Sequence, residues 1–451
     1  MKNTLLAGFA RLDITPPLGI GIAGYYVERK AEGILDPLEC SALAVSDGEN
    51  TRVIISIDTC GGAGTKYYTS AREAAAESAG ISSDGVFISS THTHTGPYWG
   101  ERDSEIEKRY TEFLIGRMAD AACLAVKDMK PAKLGIGAGT AHNIAFIRRY
   151  VMKDGRIRTN PGVNNPDIVR PVGDVDESVS VLRFTRDEGP EIVLLNFGCH
   201  PDVVGGNLIS ADWPGFARRT VERSLDNVRC IFLNGAEGDV NHVNVHPKGG
   251  DLNGMFMDFD DVSRGYPHSR HMGNVVAAAA LQAYEKVEWR DVSRVGGKIM
   301  TLTLPSNMPT KEQLVSAREI ASLHRAGRDR DIPFEAMELT TVVAEAERML
   351  RLENGPESFA MPLSSLFIGD TAFIGIPGEP FGGIGKALKQ AGGWAMVLPC
   401  CITNGYEGYF PMKDSYEEGG YEARSSIYAA GAAERIIEEG LKLLSEIRKD
   451  I

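Results

Sequence analysis

The chain has 451 residues, 43% hydrophobic and 24% charged, which is an ordinary globular balance and more than one small core can hold. A formal net charge of -13 argues against nucleic acid or an anionic membrane surface as the main partner. No run of about 18 apolar residues is present, so no membrane-spanning helix is expected.

Seven cysteines are scattered, at Cys40, Cys60, Cys123, Cys199, Cys230, Cys400 and Cys401. The number is odd, and no spacing matches a zinc finger or a redox pair. Buried, reduced thiols in a cytoplasmic protein are the expectation. Met1-Lys2-Asn3-Thr4-Leu5-Leu6 lacks the apolar core of a signal peptide and runs directly into folded-looking sequence.

Residues 5–60 read as strands and turns, with a β-branched strand at 52–58. An Ala-rich helix follows at 66–78. The apolar run Val86-Phe87-Ile88 then leads into Ser89-Ser90-Thr91-His92-Thr93-His94-Thr95-Gly96-Pro97. On an extended backbone, His92 and His94 share one face, because side chains alternate with period 2. Gly96-Pro97 ends the strand. Taken alone, the pair suits a metal ligand or two polar residues closing a strand equally well. A long helix is expected at 105–129, with Asp103-Ser104 as its cap.

Residues 143–176 are polar and turn-rich, with Arg148 and Arg149 at the start. So long a stretch with few strand or helix signals reads as a functional loop. Strands are expected at 178–185 and 191–197. The second ends in Gly198-Cys199-His200-Pro201. A helix at 215–225 and a strand at 229–233 follow. That strand ends in Asn234-Gly235-Ala236-Glu237-Gly238-Asp239-Val240-Asn241-His242. Three strands thus end in Gly-rich segments carrying His, Glu, Asp and Asn. In layered α/β proteins such strand ends converge on one crevice.

Further on, a helix at 268–285 and a strand at 295–304 are expected. Charged amphipathic helices at 310–326 and 334–352 read as a hairpin on the outside. Two strands flank Gly369-Asp370 and end in Pro377-Gly378-Glu379. A helix at 382–390, a strand at 394–398 and a final helix at 425–448 complete the chain. The tyrosine-rich segment Tyr406-Glu407-Gly408-Tyr409 precedes the last helix. No internal repeat or low-complexity tract is found.

The order of these motifs resembles the catalytic domain of neutral, non-lysosomal ceramidases. They are Thr91-His92-Thr93-His94, His200, Ile209-Ser210-Ala211-Asp212, Gly238-Asp239-Val240, Pro377-Gly378-Glu379 and the tyrosine segment. The resemblance runs from about Gly8 to the final helix. It implies an α/β fold with two β-sheets face to face and helices outside. The whole chain, 1–451, is then one domain with a helical hairpin insertion at about 310–353. It further implies one zinc ion per chain, held by His92, His200, Glu379 and Tyr409. Tyr421 follows Tyr409 at the family spacing and is implied as a substrate-facing hydroxyl, with His94 beside the ligands.

The residue types suit that chemistry. Zinc takes imidazole nitrogen and carboxylate oxygen, lowers the pKa of a water and polarises a carbonyl. His94 or Tyr421 can pass a proton or steady an oxyanion, and Asp239 can orient a ligand imidazole or the attacking water. The family carries a catalytic serine where this chain has Asn241, and an amide cannot be a nucleophile. An activated water is the route that remains. Arg148, Arg149 and Asn234 are candidate substrate contacts. His242 and His246 are candidate pocket residues, while Tyr406 and Tyr416 read as packing residues.

The expected activity is zinc-dependent hydrolysis, most simply of an amide in a small polar substrate. A zinc-dependent hydrolase opening a sugar- or polyol-derived lactone or cyclic ketone is the alternative. A binding protein that kept the fold without activity is a third reading. A small molecule is the expected partner, with neither nucleic acid nor membrane.

Overall fold

The computed structural model describes residues 4–101, 104–248 and 265–451. Eight strands form one long sheet: β1 (Leu6–Asp13), β2 (Glu39–Ser46), β3 (Thr51–Ile57), β4 (Val86–Ser90), β5 (Lys130–Thr140), β6 (Ser178–Arg186), β7 (Glu191–Phe197) and β8 (Val228–Asn234). Their spatial order is β8-β7-β6-β5-β1-β2-β3-β4, with Glu288–Arg290 as a short extra strand beside β5. Four helices accompany them: α1 (Thr65–Ala79), α2 (Glu105–Lys127), α3 (Asp212–Ser224) and α4 (Tyr266–Tyr284).

A second sheet has the order β9 (Val295–Pro305), β10 (Ser358–Ile368), β11 (Thr371–Gly375) and β12 (Met396–Cys400). Its part of the chain carries α5 (Lys311–Arg325), α6 (Ala336–Leu352), α7 (Gly382–Lys389), α8 (Tyr421–Ser425) and α9 (Ala432–Ile447). Within these two sheets three strand pairs are parallel: β3–β4, β7–β8 and β11–β12. Each is bridged by one helix, α1, α3 or α7, because a parallel neighbour requires a crossover. Ligand-bearing strand ends therefore come from three βαβ units.

The first sheet curls until its edges meet. Ser56 Oγ on β3 donates to the Phe232 carbonyl on β8 at 2.6 Å. Both faces of these strands are covered, which is why their sequences are continuous apolar runs. Ile54, Phe87, Leu194 and Ile231 share a core with Leu366, Phe373 and Leu398 of the second sheet. The next residues along, Ile55 and Ile88, pack under α1 and α2. Leu195 and Phe232 pack under α3 and α4. On the second sheet, Ile374 and Val397 lie against Ile384, Leu388, Ile436 and Leu443 of α7 and α9. Each such buried Ile, Leu or Phe contributes roughly 1.5–3 kcal/mol.

Some expectations need correction. Residues 143–176 are not an irregular loop: Arg149–Met152, Ile157–Thr159 and Ile168–Pro171 form a small antiparallel sheet. The final helix is split, because the Ser426 hydroxyl turns inward to the Tyr409 carbonyl at 2.9 Å and Gly431 caps α9 with φ 97°. Asp103 lies outside the described residues, and Ser104 takes the cap position of α2 without a side-chain hydrogen bond.

The hairpin α5–α6 forms as expected, with a Thr310/Gln313 capping box and an apolar seam of Leu314, Ala317, Ala321, Ala346 and Met349. Its second helix, however, is not simply an outer element. Arg424 on α8 binds Glu345 and Glu338 on α6 at 2.9 and 2.8 Å, so α6 is clamped to the helix that carries Tyr421.

Candidate metal centre

β4 ends at Ser90, and the chain then turns. His92 adopts φ 75°, a left-handed conformation rare for a residue with a side chain. Its amide donates to Thr59 O at 2.9 Å, and the hydroxyls of Thr93 and Thr95 donate to Ser210 O at 2.7 and 3.1 Å. Period-2 alternation therefore does not explain how the two histidines meet. The turn does, and it brings His92 Nε2 and His94 Nε2 to 3.2 Å. Gly24 lets this happen, because a Cβ there would sit 2.7 Å from His94 Nδ1.

His200 follows β7, and Glu379 follows β11. The turn at Gly238 meets Glu379 so closely that a Cβ at Gly238 would lie 2.5 Å from the Glu379 carbonyl. Asn234, at the end of β8, ties the strand ends together. Its Nδ2 donates to Thr91 O at 3.1 Å and Cys199 O at 3.2 Å, and its own carbonyl accepts from Cys401 N at 3.0 Å.

The side chains converge on one point. Glu379 Oε2 lies 3.0 Å from His200 Nε2 and 3.5 Å from His92 Nε2. Tyr409 OH lies 3.5 Å from His200 Nε2, and Tyr406 OH donates to Glu379 Oε1 at 2.7 Å. All of these groups are buried except Tyr406, which is partly so.

The donor set fits a metal ion. His92 Nδ1 lies 2.6 Å from the Cys60 carbonyl, and His200 Nδ1 lies 2.9 and 3.0 Å from the carbonyls of Glu237 and Val240. A carbonyl only accepts, so the proton sits on each Nδ1 and the Nε2 lone pair faces inward. Two lone pairs and a carboxylate oxygen then face each other, and only a cation or a proton between them relieves the repulsion. His92, His200 and Glu379 form one group able to hold an ion, and Cys60, His92 and His94 form another.

Electrostatics agree. Burial alone would raise the Glu379 carboxyl, but His92 and His200 hold it well below the usual range. Burial opposes charge on His92, yet Cys60 and Glu379 push that ring well above it. His94 goes the other way: burial, then the charges of His92 and His200, depress it far below an ordinary histidine.

A cavity of about 140 Å³ opens beside the centre. Of the sequence candidates, His92, His94, Glu379, Arg148, Tyr409 and Tyr421 line it. Arg148 is held by Glu422 at 2.6 Å and Gly238 O at 2.7 Å, with Nη1 3.4 Å from His200 Nε2. Tyr421 OH lies 3.2 Å from Tyr26 OH. A larger cleft of about 1220 Å³ is lined by the neighbouring Ala336, Leu339 and Gly420, but the histidine cluster is not in it.

Besides the ligand candidate His200, six candidates do not line the cavity. Arg149 is spent on Ser415 and Glu418 at 2.8 and 3.1 Å. Asn234 has the scaffold role described above. Asp239 accepts the Gly382 amide at 2.7 Å, at the start of α7. Asn241 donates to Asn160 Oδ1 at 3.0 Å and accepts from Val243 N. His242 packs against the His268 ring, and His246 is exposed.

The reverse error occurs at Tyr406, which is no mere packing residue. It is the first Tyr of the segment Tyr406-Glu407-Gly408-Tyr409 that also carries the ligand candidate Tyr409. Cys60, Tyr25, Tyr26, Asn160, Asp202, Met337 and Thr340 also line the cavity. Asp202, two residues after His200, had a positional signal. The others come from turns and from α6, where no motif marks them.

A mixed α/β fold with a buried histidine–carboxylate centre defines a general class. Among solved structures the chain is similar to neutral ceramidase from Pseudomonas aeruginosa, with a TM-score of 0.75 at 17% identity, over 100% of this chain and 75% of that one. A ceramidase complexed with C2 matches with a TM-score of 0.72 at 17% identity, over 99% of this chain and 76% of that one. The fold is that of neutral ceramidase. A scan against protein families finds no match. Among the described residues, no helix is long and apolar enough to cross a membrane.

Proposed function

We propose that the protein is a metal-dependent hydrolase that directs water at a carbonyl carbon, most simply an amidohydrolase of a small polar substrate. One observation carries this reading: the inward Nε2 atoms of His92 and His200 converge on the Glu379 carboxylate. Such a nitrogen and oxygen set suits zinc. The fold similarity to a protein named a ceramidase supports an amide as the bond cleaved.

A zinc ion held by His92, His200, Glu379 and Tyr409 would supply a Lewis acid and a water of lowered pKa. The remaining work falls to the chain. Burial and the neighbouring rings keep His94 neutral and make it a weak base, so its imidazole is suited to hydrogen-bond the substrate or a developing oxyanion. Its Nδ1 lies 3.6 Å from Asp202 Oδ1, which also faces the cavity. Tyr421 offers a hydroxyl to a developing oxyanion, and Arg148 supplies fixed positive charge to the same cavity.

The cavity also bears on substrate size. Sites for drug-sized ligands run from roughly 300 Å³ upward, and this one is smaller. Asn160, Asp202, Arg148 and the tyrosine hydroxyls give it polar groups that can pair with a hydroxylated substrate, beside apolar lining from Val27 and Met337. The seven cysteines are all free, which supports a reducing compartment as the place of action.

The test combines metal analysis with a substrate panel in detergent. About one zinc per chain and chelator-sensitive release of an amine from small N-acyl compounds support the reading. Ring opening of a lactone or cyclic ketone without an amine would move the reaction to the alternative class. A protein with no metal and no turnover would be a binding protein. Efficient cleavage of long-chain ceramide would overturn the small-substrate assignment.

A further inference from the structure

Glu237 stands directly behind His200. Its side chain is 0% exposed, and neither carboxylate oxygen has a hydrogen-bond partner among the described residues by strict geometry. The Cys401 thiol touches it, and a thiol is only a weak donor. Oε2 lies 3.4 Å from His200 Nδ1, but that N–H is already engaged by two backbone carbonyls at 2.9 and 3.0 Å. A carboxylate buried without a partner is a net cost to folding. The mechanism above makes no use of it.

The charged neighbours that act on Glu237 most strongly are His200, Glu379 and His92, all of the metal centre. Glu379 is itself a carboxylate, so it adds repulsion rather than relief. A dication held by those three residues would offset both acids at once. We propose that Glu237 is a positioning residue that balances the charge of the ion through the His200 ring. This rests on the metal reading above. The two backbone carbonyls fix the ring, and a negative charge 3.4 Å behind it favours a positive ion in front of it. Glu237 thus strengthens metal binding and weakens the stability of the stripped protein.

Those opposite signs make the test. Zinc is titrated against a competing chelator into metal-stripped wild type, Glu237→Gln and Glu237→Asp, and the melting temperature of each stripped protein is recorded. Glu237→Gln should bind zinc about 10–100-fold more weakly. Its stripped form should melt at or above the wild-type temperature. Glu237→Asp keeps the charge and should bind more tightly than the Gln variant. Unchanged zinc affinity in Glu237→Gln, a stripped variant that is less stable or does not fold, or an Asp variant weaker than Gln would each overturn the inference. If wild type itself binds no zinc, the metal reading falls and this one with it. If only the variant behaves unexpectedly, the metal reading stands.

Discussion

Tyr406 OH donates to Glu379 Oε1 at 2.7 Å, so Glu379 turns its other oxygen toward His200. One phenol thus decides which carboxylate oxygen is presented to the centre. Tyr406→Phe removes that donor without changing shape. We expect metal affinity to fall about 10–100-fold, the range for lost support behind a ligand. Chelator competition against wild type checks this, and equal affinities would leave Tyr406 as packing only.

The Asn241 amide is committed to Asn160, to whose Oδ1 it donates at 3.0 Å. Asn160 lines the cavity and Asn241 does not. Asn241→Ala should therefore cost about tenfold in activity by loosening Asn160, an effect of the outer-shell kind. His92→Ala should cost far more and should lose metal. Mass spectrometry of the quenched reaction should show no acyl adduct at residue 241.

Arg218 on α3 makes a two-pronged pair with Asp58, with contacts of 2.9 and 2.6 Å and both residues buried. Asp58 also accepts the Thr91 hydroxyl at 3.2 Å, next to His92. Removing one partner strands the other charge. Arg218→Ala should destabilise the fold by about 3–5 kcal/mol. The exposed pair Arg109–Glu105 is the control, and Arg109→Ala should change stability by less than about 0.5 kcal/mol. Urea unfolding of both variants makes the comparison.

Asp212 should give stability a pH dependence. Burial pushes its carboxyl up to about 6, against the pull of the Val203, Val204 and Trp213 amides. The unfolded value is about 3.9. The native state thus holds an extra proton between these values. The associated stability is complete below pH ~4 and lost as pH rises through ~6, by about 3 kcal/mol. Asp212→Asn removes the titration and tolerates the left-handed backbone, φ 53°. The stability of wild type minus that of the variant should fall between pH 4 and 7. A flat difference would refute the assignment.

Met337 and Thr340 bring α6 to the cavity wall. Replacing both by Ala should admit longer acyl groups, read as a shift in a chain-length series of N-acyl substrates. Activity on the shortest members should persist, because neither residue belongs to the histidine cluster.

The sequence made the strand ends legible because the chemistry there is written in short motifs. His92, His200 and Glu379 each stand where an apolar run meets a breaker, before it for His92 and after it for the other two, and all three meet. Cavity walls are another matter. Tyr26 and Met337 lie far apart in the chain and become neighbours only through the packing of α6 on α8. Arg148 and Arg149 show the same limit on a smaller scale. They are adjacent in sequence, and only the small sheet at 149–171 decides that Arg148 faces the cavity while Arg149 faces Ser415. The curl of the first sheet was equally hidden, since it depends on contacts such as Ser56 to Phe232.

Asn234 has one more consequence. It fixes Thr91, Cys199 and Cys401 with hydrogen bonds that involve no ligand atom. The backbone around His92 and His200 is therefore held in place by the polypeptide's own hydrogen bonds. An ion bound by the proposed ligands would then need no rearrangement of the chain at Thr91, Cys199 or Cys401, and its loss should leave those three segments in place.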